Sequence, residues 1–190
     1  MENKSRIFIG IPVPENIKES LTDLYLSPVN FRLDKSCKPV RKENIHITLH
    51  FLGDVDNTRL DTLLNNCDKY NFGSSFKLKT EKCGCFPDLK NPRVFFSKII
   101  YENDLKILYD NLSDILTNHN FTIEKRKYKP HLTLAYIKMA GSQETEFLKN
   151  YIFNCKNSNL IFDVKSFNIY SSILKHHGAE HMVLKSIQLS

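Results

Sequence analysis

Several features that mark particular protein classes are missing from this chain. It has no tryptophan and only six glycines, and its five cysteines are scattered without a CxxC pair. An odd number of dispersed cysteines indicates neither a disulfide framework nor a zinc site. No apolar run approaches the length of a membrane span or of a signal-peptide core. We therefore expect a soluble, cytoplasmic protein with no membrane partner.

The bulk composition is that of a globular protein with a positive charge. The 190 residues suit a single domain over residues 1–190, built of two lobes that share a core. The formal net charge of +6 favours anionic partners such as RNA ends or nucleotides. A lysine-rich surface that only aids solubility fits the charge equally well. Nothing in the sequence demands more than a monomer.

A short motif occurs twice, once in each half of the chain. Residues 46–49 read His-Ile-Thr-Leu and residues 131–134 read His-Leu-Thr-Leu. Alternate side chains of a strand share a face, so His46 points with Thr48, and His131 points with Thr133. A lone strand histidine is usually a half-buried structural residue. Two copies with threonine at the same offset favour a functional pair, and each lobe is expected to contribute one copy.

Two imidazoles that face one cleft can supply a general base and a general acid at neutral pH. Opening a cyclic phosphate needs such a pair, because water is deprotonated on one side of phosphorus while the leaving alkoxide is protonated on the other. Each imidazole can contribute on the order of 10²–10⁴-fold to the rate. The hydroxyls of Thr48 and Thr133 can donate to non-bridging oxygens, where charge builds up. This scheme requires no metal and no other cofactor.

The apolar pattern predicts strands and helices that are mixed along the chain. Strands are expected at residues 6–11, 45–52, 74–86, 93–100, 130–137, 159–170 and 182–189. Helices are expected after Pro14, between residues 60 and 70, and over residues 102–119 and 143–153. Gly53 and Asp54 are expected to turn the chain out of the second strand. The order indicates an α+β fold with bilobal, pseudo-twofold symmetry, in which helices lie outside two antiparallel sheets around a central cleft.

Both motifs and their flanking residues resemble those of the two-histidine (2H) phosphoesterase superfamily. Within it, the chain is most similar to the bacterial and archaeal RNA 2′,3′-cyclic phosphodiesterases, formerly called 2′–5′ RNA ligases. The similarity covers nearly the whole chain, at residues 6–14, 46–55, 86–94, 129–135 and 167–189.

The resemblance implies hydrolysis of a ribose 2′,3′-cyclic phosphate to a 2′-phosphate, with the 3′ oxygen leaving. RNA 3′ ends or cyclic-phosphate nucleotides are the implied substrates. In that family the first histidine is usually drawn as the proton donor and the second as the acceptor, which would make His46 the acid and His131 the base. The residues themselves leave this order open.

Four residues near the motifs are candidates for substrate binding. Many family members have an arginine two places after the second motif, where this chain has Tyr136, which can donate a hydrogen bond but carries no fixed charge. Either Arg126 or Lys129 supplies the charge, or phosphate binds more weakly, or the substrate differs. Phe51 could stack on a base, although strict alternation along the strand favours a core position opposite His46.

Two other functions are compatible with these residues. The same histidines would serve a phosphodiesterase for 2′–5′-linked oligoadenylates. A catalytically weak nucleotide- or RNA-binding module could also keep this fold. The presence of both histidines and both threonines argues against a dead enzyme, while Tyr136 leaves that alternative open.

A second group of histidines lies near the C-terminus. We interpret His176, His177 and His181 as turn and strand residues, because no Cys, Asp or Glu pattern accompanies them as it would in a metal site.

Overall fold

The α+β class predicted from the sequence is confirmed. The computed structural model describes residues 4–33, 35–138, 141–176 and 178–190. Its strands are β1 (Lys4–Pro12), β2 (Cys37–Pro39), β3 (His46–Asp56), β4 (Phe76–Phe86), β5 (Val94–Ile99), β6 (His131–Ile137), β7 (Ile161–Val164), β8 (Ser166–Lys175) and β9 (Gly178–Gln188). Its helices are α1 (Glu15–Leu21), α2 (Ser27–Arg32), α3 (Asn57–Asn66), α4 (Asn103–Asn118) and α5 (Ser142–Asn154). None of the described helices has both the length and the apolar character needed to cross a membrane.

The helices follow the apolar spacing of the sequence. Leu105, Leu108, Leu112 and Leu116 recur every three or four residues along α4, and all four are buried. A wide π-helical stretch, Thr22–Leu26, connects α1 to α2, and short 3₁₀ turns precede β3 and follow α3. The leucine stripe of α4 belongs to the same apolar cluster as the buried residues of the sheet.

The nine strands form one antiparallel, curled sheet in the order β7-β4-β5-β6-β3-β1-β8-β9, with β2 paired to β6. The two expected sheets are the two halves of this one sheet. The halves meet where β3 pairs with β6 at a single pair of residues, Ile47 and Leu132. The motif strands therefore lie side by side at the centre of the molecule.

Each half contains a strand, an intervening helical segment and a motif strand that pairs with the first. In the first half α1 and α2, with the short β2, lie between β1 and β3, and β1 pairs with β3; in the second half α4 lies between β5 and β6, and β5 pairs with β6. The next strand outward is β8 in the first half and β4 in the second. This correspondence agrees with the expected pseudo-twofold arrangement.

Three of the predicted strand boundaries are wrong. Gly53 and Asp54 do not turn the chain: both lie within β3, which runs on to Asp56 because β1 extends far enough to pair with it. The strand predicted over residues 159–170 is two strands, since the chain leaves β4 at Val164 and joins β1 and β9 from Ser166. The last strand begins at Gly178, and the short β2 was not predicted.

Candidate active site

The central strand pair fixes the geometry of the two motifs. Ile47 and Leu132 are opposite each other and fully buried. On either side of this pair, His46 and Thr48 of β3 and His131 and Thr133 of β6 are half-buried and alternate with buried apolar residues. The alternation predicted for both motifs is therefore confirmed.

A β-bulge lies at the last residue of each motif. The pairing of β1 with β3 skips Leu49, and the pairing of β5 with β6 skips Leu134. One extra residue reverses the alternation of side chains that follow it. Phe51 and Tyr136 are thereby brought onto the face of the motif histidines, where they are 45% and 52% exposed. The core position considered for Phe51 is wrong.

The same bulge turns His50 into the protein interior. Its side chain is 3% exposed. Its Nε2 lies 3.2 Å from the carbonyl oxygen of Tyr109 and 3.2 Å from the hydroxyl of Ser113, both on α4. Its ring stacks on that of Tyr109. This histidine anchors α4 to β3 and does not join the motif pair.

Both motif histidines are held in the same way. The Nδ1 of His46 is 2.7 Å from the carbonyl oxygen of Asn44, and the Nδ1 of His131 is 2.7 Å from that of Lys129, in each case two residues back. A carbonyl can only accept, so Nδ1 carries the hydrogen in both rings. The Nε2 of His46 lies 3.0 Å from Oγ1 of Thr48. In both rings Nε2 is therefore the nitrogen left for chemistry.

A pair of stacked aromatic rings lies against each histidine. Phe8 stacks on His46 with ring centres 4.6 Å apart and on Tyr170 at 4.7 Å, and the rings of His46 and Tyr170 are 5.8 Å apart. In the second half Phe86 and Phe96 stack at 4.1 Å, and the ring of His131 meets them at 4.9 Å and 5.4 Å. These rings shield each imidazole from water and restrict its rotation.

Burial dominates the ionisation of both imidazoles. Burial, with smaller contributions from the nearby His181 and His131, lowers the pKa of His46 to about 4, despite the opposing effect of the hydrogen bond to Asn44. Burial also lowers the pKa of His131, against the opposing effect of its bond to Lys129. Both rings are neutral at pH 7 in the unliganded protein.

Two cavities open on the motif residues. The His46 cavity, of about 410 Å³, is lined by His46, Thr48, Thr133 and Tyr136, together with Lys38, Arg41 and His181. The His131 cavity, of about 850 Å³, is lined by Thr48 and His131 and by the aromatic and basic side chains of Phe51, Phe86, Tyr109, Tyr128, Arg93, Arg126, Lys127 and Lys129. Thr48 lines both cavities, so they adjoin at this side chain, with His46 in one and His131 in the other.

The four residues expected to bind substrate all line these cavities. Tyr136 lies in the His46 cavity, whereas Phe51, Arg126 and Lys129 lie in the His131 cavity. The guanidinium of Arg6 lies 5.1 Å from the ring centre of Phe51, and the ammonium of Lys129 lies 5.8 Å from that of Phe86. Arg126 is exposed and forms an ion pair with Glu124, which reduces the charge that it can offer to a ligand.

Sequence reasoning missed several residues of this region. His181, interpreted as an ordinary strand residue, lies edge-on to His46 with ring centres 5.4 Å apart. Tyr128 donates a hydrogen bond of 3.0 Å to the carbonyl of Thr48. The signal that could have found Tyr128 is its position just before the second motif, but no local pattern indicates that β9 carries His181 to the first. His177 lies outside the described residues.

The described parts of the chain offer no obvious metal centre. Among residues 4–33, 35–138, 141–176 and 178–190, no three His, Cys, Asp or Glu side chains are grouped so that they could hold a metal ion.

Comparison with known proteins identifies the family. The LigT-like phosphoesterase family profile matches residues 11–96. The chain is 33% identical over 181 residues to a Methanocaldococcus jannaschii protein named RNA 2′,3′-cyclic phosphodiesterase, covering 95% of this chain and 98% of the relative. It is 28% identical over 184 residues to a Thermotoga maritima protein of the same name, covering 96% and 95%.

The fold has a match among solved structures. E. coli LigT, crystallised with 3′-AMP, superposes with a TM-score of 0.77 at 21% identity, over 98% of this chain and 99% of that one. At this identity the LigT structure shows the fold alone. The family is shown by the sequence identity to the Methanocaldococcus relative. The chain therefore belongs to the LigT-like phosphoesterase family.

Proposed function

We propose that this chain hydrolyses a ribose 2′,3′-cyclic phosphate, at an RNA 3′ end or on a nucleotide, to a 2′-phosphate without a metal ion. The observation that carries the proposal is the symmetric pair of imidazoles beside one strand junction. Each ring has Nδ1 bonded to a carbonyl, Nε2 left for proton transfer and a threonine at the same offset. The names of the two relatives support the substrate class.

Each of the two imidazoles carries out one proton transfer of the reaction. The neutral one takes a proton from water through Nε2 as water attacks phosphorus, and the protonated one gives its Nε2 proton to the departing 3′ oxygen. We assign the donor role to His46 and the acceptor role to His131, as in the family. The hydroxyls of Thr48 and Thr133, which line the cavity beside His46, are assigned to the non-bridging phosphate oxygens.

A donor role for His46 requires that the substrate itself raise the imidazole pKa. In the unliganded protein that pKa is about 4, so few molecules carry the proton at pH 7. A negative charge about 4 Å away, at an effective dielectric constant of about 20, stabilises the imidazolium by about 4 kcal/mol. That energy corresponds to roughly three pKa units. The phosphate charge is therefore large enough to bring His46 to near-neutral pKa on binding.

The His131 cavity supports a nucleic-acid substrate. Four aromatic residues, Phe51, Phe86, Tyr109 and Tyr128, line it together with Arg93, Arg126, Lys127 and Lys129. Aromatic rings that accept bases and cations that follow the phosphate backbone are the combination by which proteins bind single-stranded nucleic acid without sequence preference. We assign Phe51, Arg126 and Lys129 to the nucleotide chain and Tyr136 to the phosphate.

The test uses an oligonucleotide with a 2′,3′-cyclic phosphate end in the presence of EDTA. We expect ring opening that survives the chelator and yields a 2′-phosphate. We also expect the rate to fall on the order of 10²–10⁴-fold in His46→Ala and in His131→Ala. The matched control is His119→Ala, because His119 is hydrogen-bonded to Tyr70 and lines neither cavity.

Other outcomes separate the alternatives. Faster cleavage of a 2′–5′-linked oligoadenylate assayed in parallel would identify that substrate class instead. Tight binding of the oligonucleotide with no turnover by the unaltered protein would identify a binding module. Activity that EDTA abolishes would refute the metal-free scheme.

A further inference from the structure

We propose that His181 is a third histidine of the site and that its ring donates a hydrogen bond to a non-bridging oxygen of the bound phosphate. This inference rests on the proposed function, because its ligand is the phosphate of that reaction. Four observations support it: the position of the ring, its unpaired Nδ1, the hydrogen bond that links its strand to Asn44, and the small positive charge left on the phosphate side of the cavity.

The ring of His181 lies against the first motif. It meets the ring of His46 edge-on at 5.4 Å and that of Phe8 at 4.8 Å. It lines the same cavity as Thr48 and Thr133, the two hydroxyls assigned to the phosphate. A phosphate that reaches His46 Nε2 therefore lies beside His181.

The Nδ1 of His181 is not held by a hydrogen bond, whereas the Nδ1 of each motif histidine is. Within the part of the chain that the structure describes, its Nδ1 is the one buried imidazole nitrogen without a hydrogen-bond partner. By contrast, the Nδ1 of His46 and that of His131 are each held by a carbonyl. Burying an unpaired polar atom disfavours the unliganded state. Since no described residue is hydrogen-bonded to Nδ1, this nitrogen does not fix the tautomer of His181, and the ring can present an N–H to a ligand.

The β8–β9 hairpin, which carries His181, is hydrogen-bonded to the segment just before the first motif. Asn44 donates from its side-chain amide to the carbonyl of Ala179 at 2.6 Å, and its own carbonyl accepts from Nδ1 of His46. Arg41 lies 4.0 Å from the carboxylate of Glu180. One residue thus links His46 to the strand of His181, which fixes the spacing of the two rings.

The second half of the molecule has no counterpart of His181. Pseudo-symmetry matches β9 with β7, but β7 pairs with residues 76–79 at the far end of β4, away from His131. On the phosphate side, Tyr136 carries no fixed charge, and Arg41 is partly neutralised by Glu43 and Glu180. A hydrogen bond from His181 would therefore add a donor where the charge available to the phosphate is small.

The experiment compares two substitutions that separate hydrogen bonding from packing. His181→Phe keeps a ring against Phe8 and His46 but removes the donor, whereas His181→Gln keeps a donor but removes the ring. The probe is sulfate, measured by calorimetry and as a competitive inhibitor, alongside steady-state kinetics on 2′,3′-cyclic AMP. The matched control is His119→Phe, which changes a histidine that lines neither cavity.

We expect His181→Phe to raise the sulfate dissociation constant and KM about tenfold, the effect of one lost hydrogen bond to a charged group. We expect His181→Gln to recover most of the affinity. We also expect His181→Phe to unfold at the same temperature as the parent or higher, because it removes an unpaired buried nitrogen. Unchanged sulfate affinity in His181→Phe, or weaker binding by His181→Gln than by His181→Phe, would overturn the proposal, since the latter order is that of a packing role.

A measurement on the unaltered protein does not depend on how the variants fold. During a sulfate titration followed by ¹⁵N imidazole NMR, the signals of His181 and His46 should shift with one dissociation constant. A His181 signal that stays unchanged would refute the contact. Sulfate binding needs no turnover, so a protein that binds sulfate through His181 and hydrolyses nothing would refute the proposed function and leave this inference standing.

Discussion

At the level of single residues, the two motif histidines differ in what surrounds Nε2. That nitrogen of His46 lies beside the Thr48 hydroxyl, and its ring contacts those of Phe8 and His181. His131 lies beside the basic run of residues 125–129. These surroundings are compatible with either order of acid and base, so the order has to be tested with the leaving group.

A diester whose leaving group departs without a proton distinguishes the acid from the base. With bis(4-nitrophenyl) phosphate, we expect His46→Ala to stay within about tenfold of the parent and His131→Ala to lose on the order of 10²–10⁴-fold, because only the base remains necessary. On 2′,3′-cyclic AMP both variants should be impaired. If His131→Ala is the variant spared on the activated diester, the two roles are reversed.

Phe51 permits a second test at the same scale. We expect Phe51→Ala to raise KM for a cyclic-phosphate oligonucleotide about tenfold, corresponding to the loss of one base-stacking contact of roughly 1–3 kcal/mol. The thermal midpoint should barely change, because this side chain is 45% exposed. Phe153→Ala is the control, as Phe153 is exposed on α5 and lines neither cavity. Equal KM values for Phe51→Ala and Phe153→Ala would remove Phe51 from the binding surface.

At the scale of elements, the sequence predicts the two motif strands well and their ends poorly. Alternation of polar and apolar residues identifies residues 46–49 and 131–134 because each has one buried face. The bulges at Leu49 and Leu134 leave no local signature, since they arise from pairing with β1 and β5. The exposure of Phe51 and the contact of His181 depend on such pairings between distant segments and could not be predicted.

At Gly10, β1 lies so close to the first motif that a side chain would contact it. A Cβ at this residue would lie 2.9 Å from the carbonyl oxygen of Ile47 and 3.1 Å from Cδ2 of His46. We expect Gly10→Ala to lower stability by about 1–3 kcal/mol, the usual cost of overpacking, and to lower kcat because the imidazole is displaced. Urea unfolding and the rate on 2′,3′-cyclic AMP measure the two effects.

The control for this substitution is another glycine. At Gly141 an added Cβ would meet only the flexible carboxylate of Glu144, which can move away. Gly141→Ala should therefore leave both stability and kcat close to those of the parent. A Gly10→Ala variant as active and as stable as Gly141→Ala would mean that β1 does not position His46.

At the scale of the whole molecule, the buried neutral histidines make folding stability depend on pH. The pKa of His46 is lowered from 6.5 to about 4 on folding, so the unfolded chain binds more protons between these values. The stabilisation that neutral His46 contributes is fully present above pH 6.5, and it is lost as the pH falls towards 4. We expect the free energy of unfolding of the parent to fall between pH 7.5 and pH 5 by about 1–2 kcal/mol more than that of His46→Gln.

Urea unfolding at the two pH values measures this difference. His131, His50 and His181 are still present in His46→Gln, and burial lowers the pKa of each, so some acid sensitivity should persist in the variant. Identical pH dependence in the parent and in His46→Gln would show that His46 is not held neutral by the fold.

The most direct measurement of whether both imidazoles serve one phosphate is a titration with 2′-AMP followed through the ¹⁵N signals of the two rings. We expect the Nε2 signals of His46 and His131 to shift together with a single dissociation constant, and the pKa of His46 to rise from about 4 towards neutrality. A shift in only one of the two rings, or two different dissociation constants, would contradict a shared phosphate.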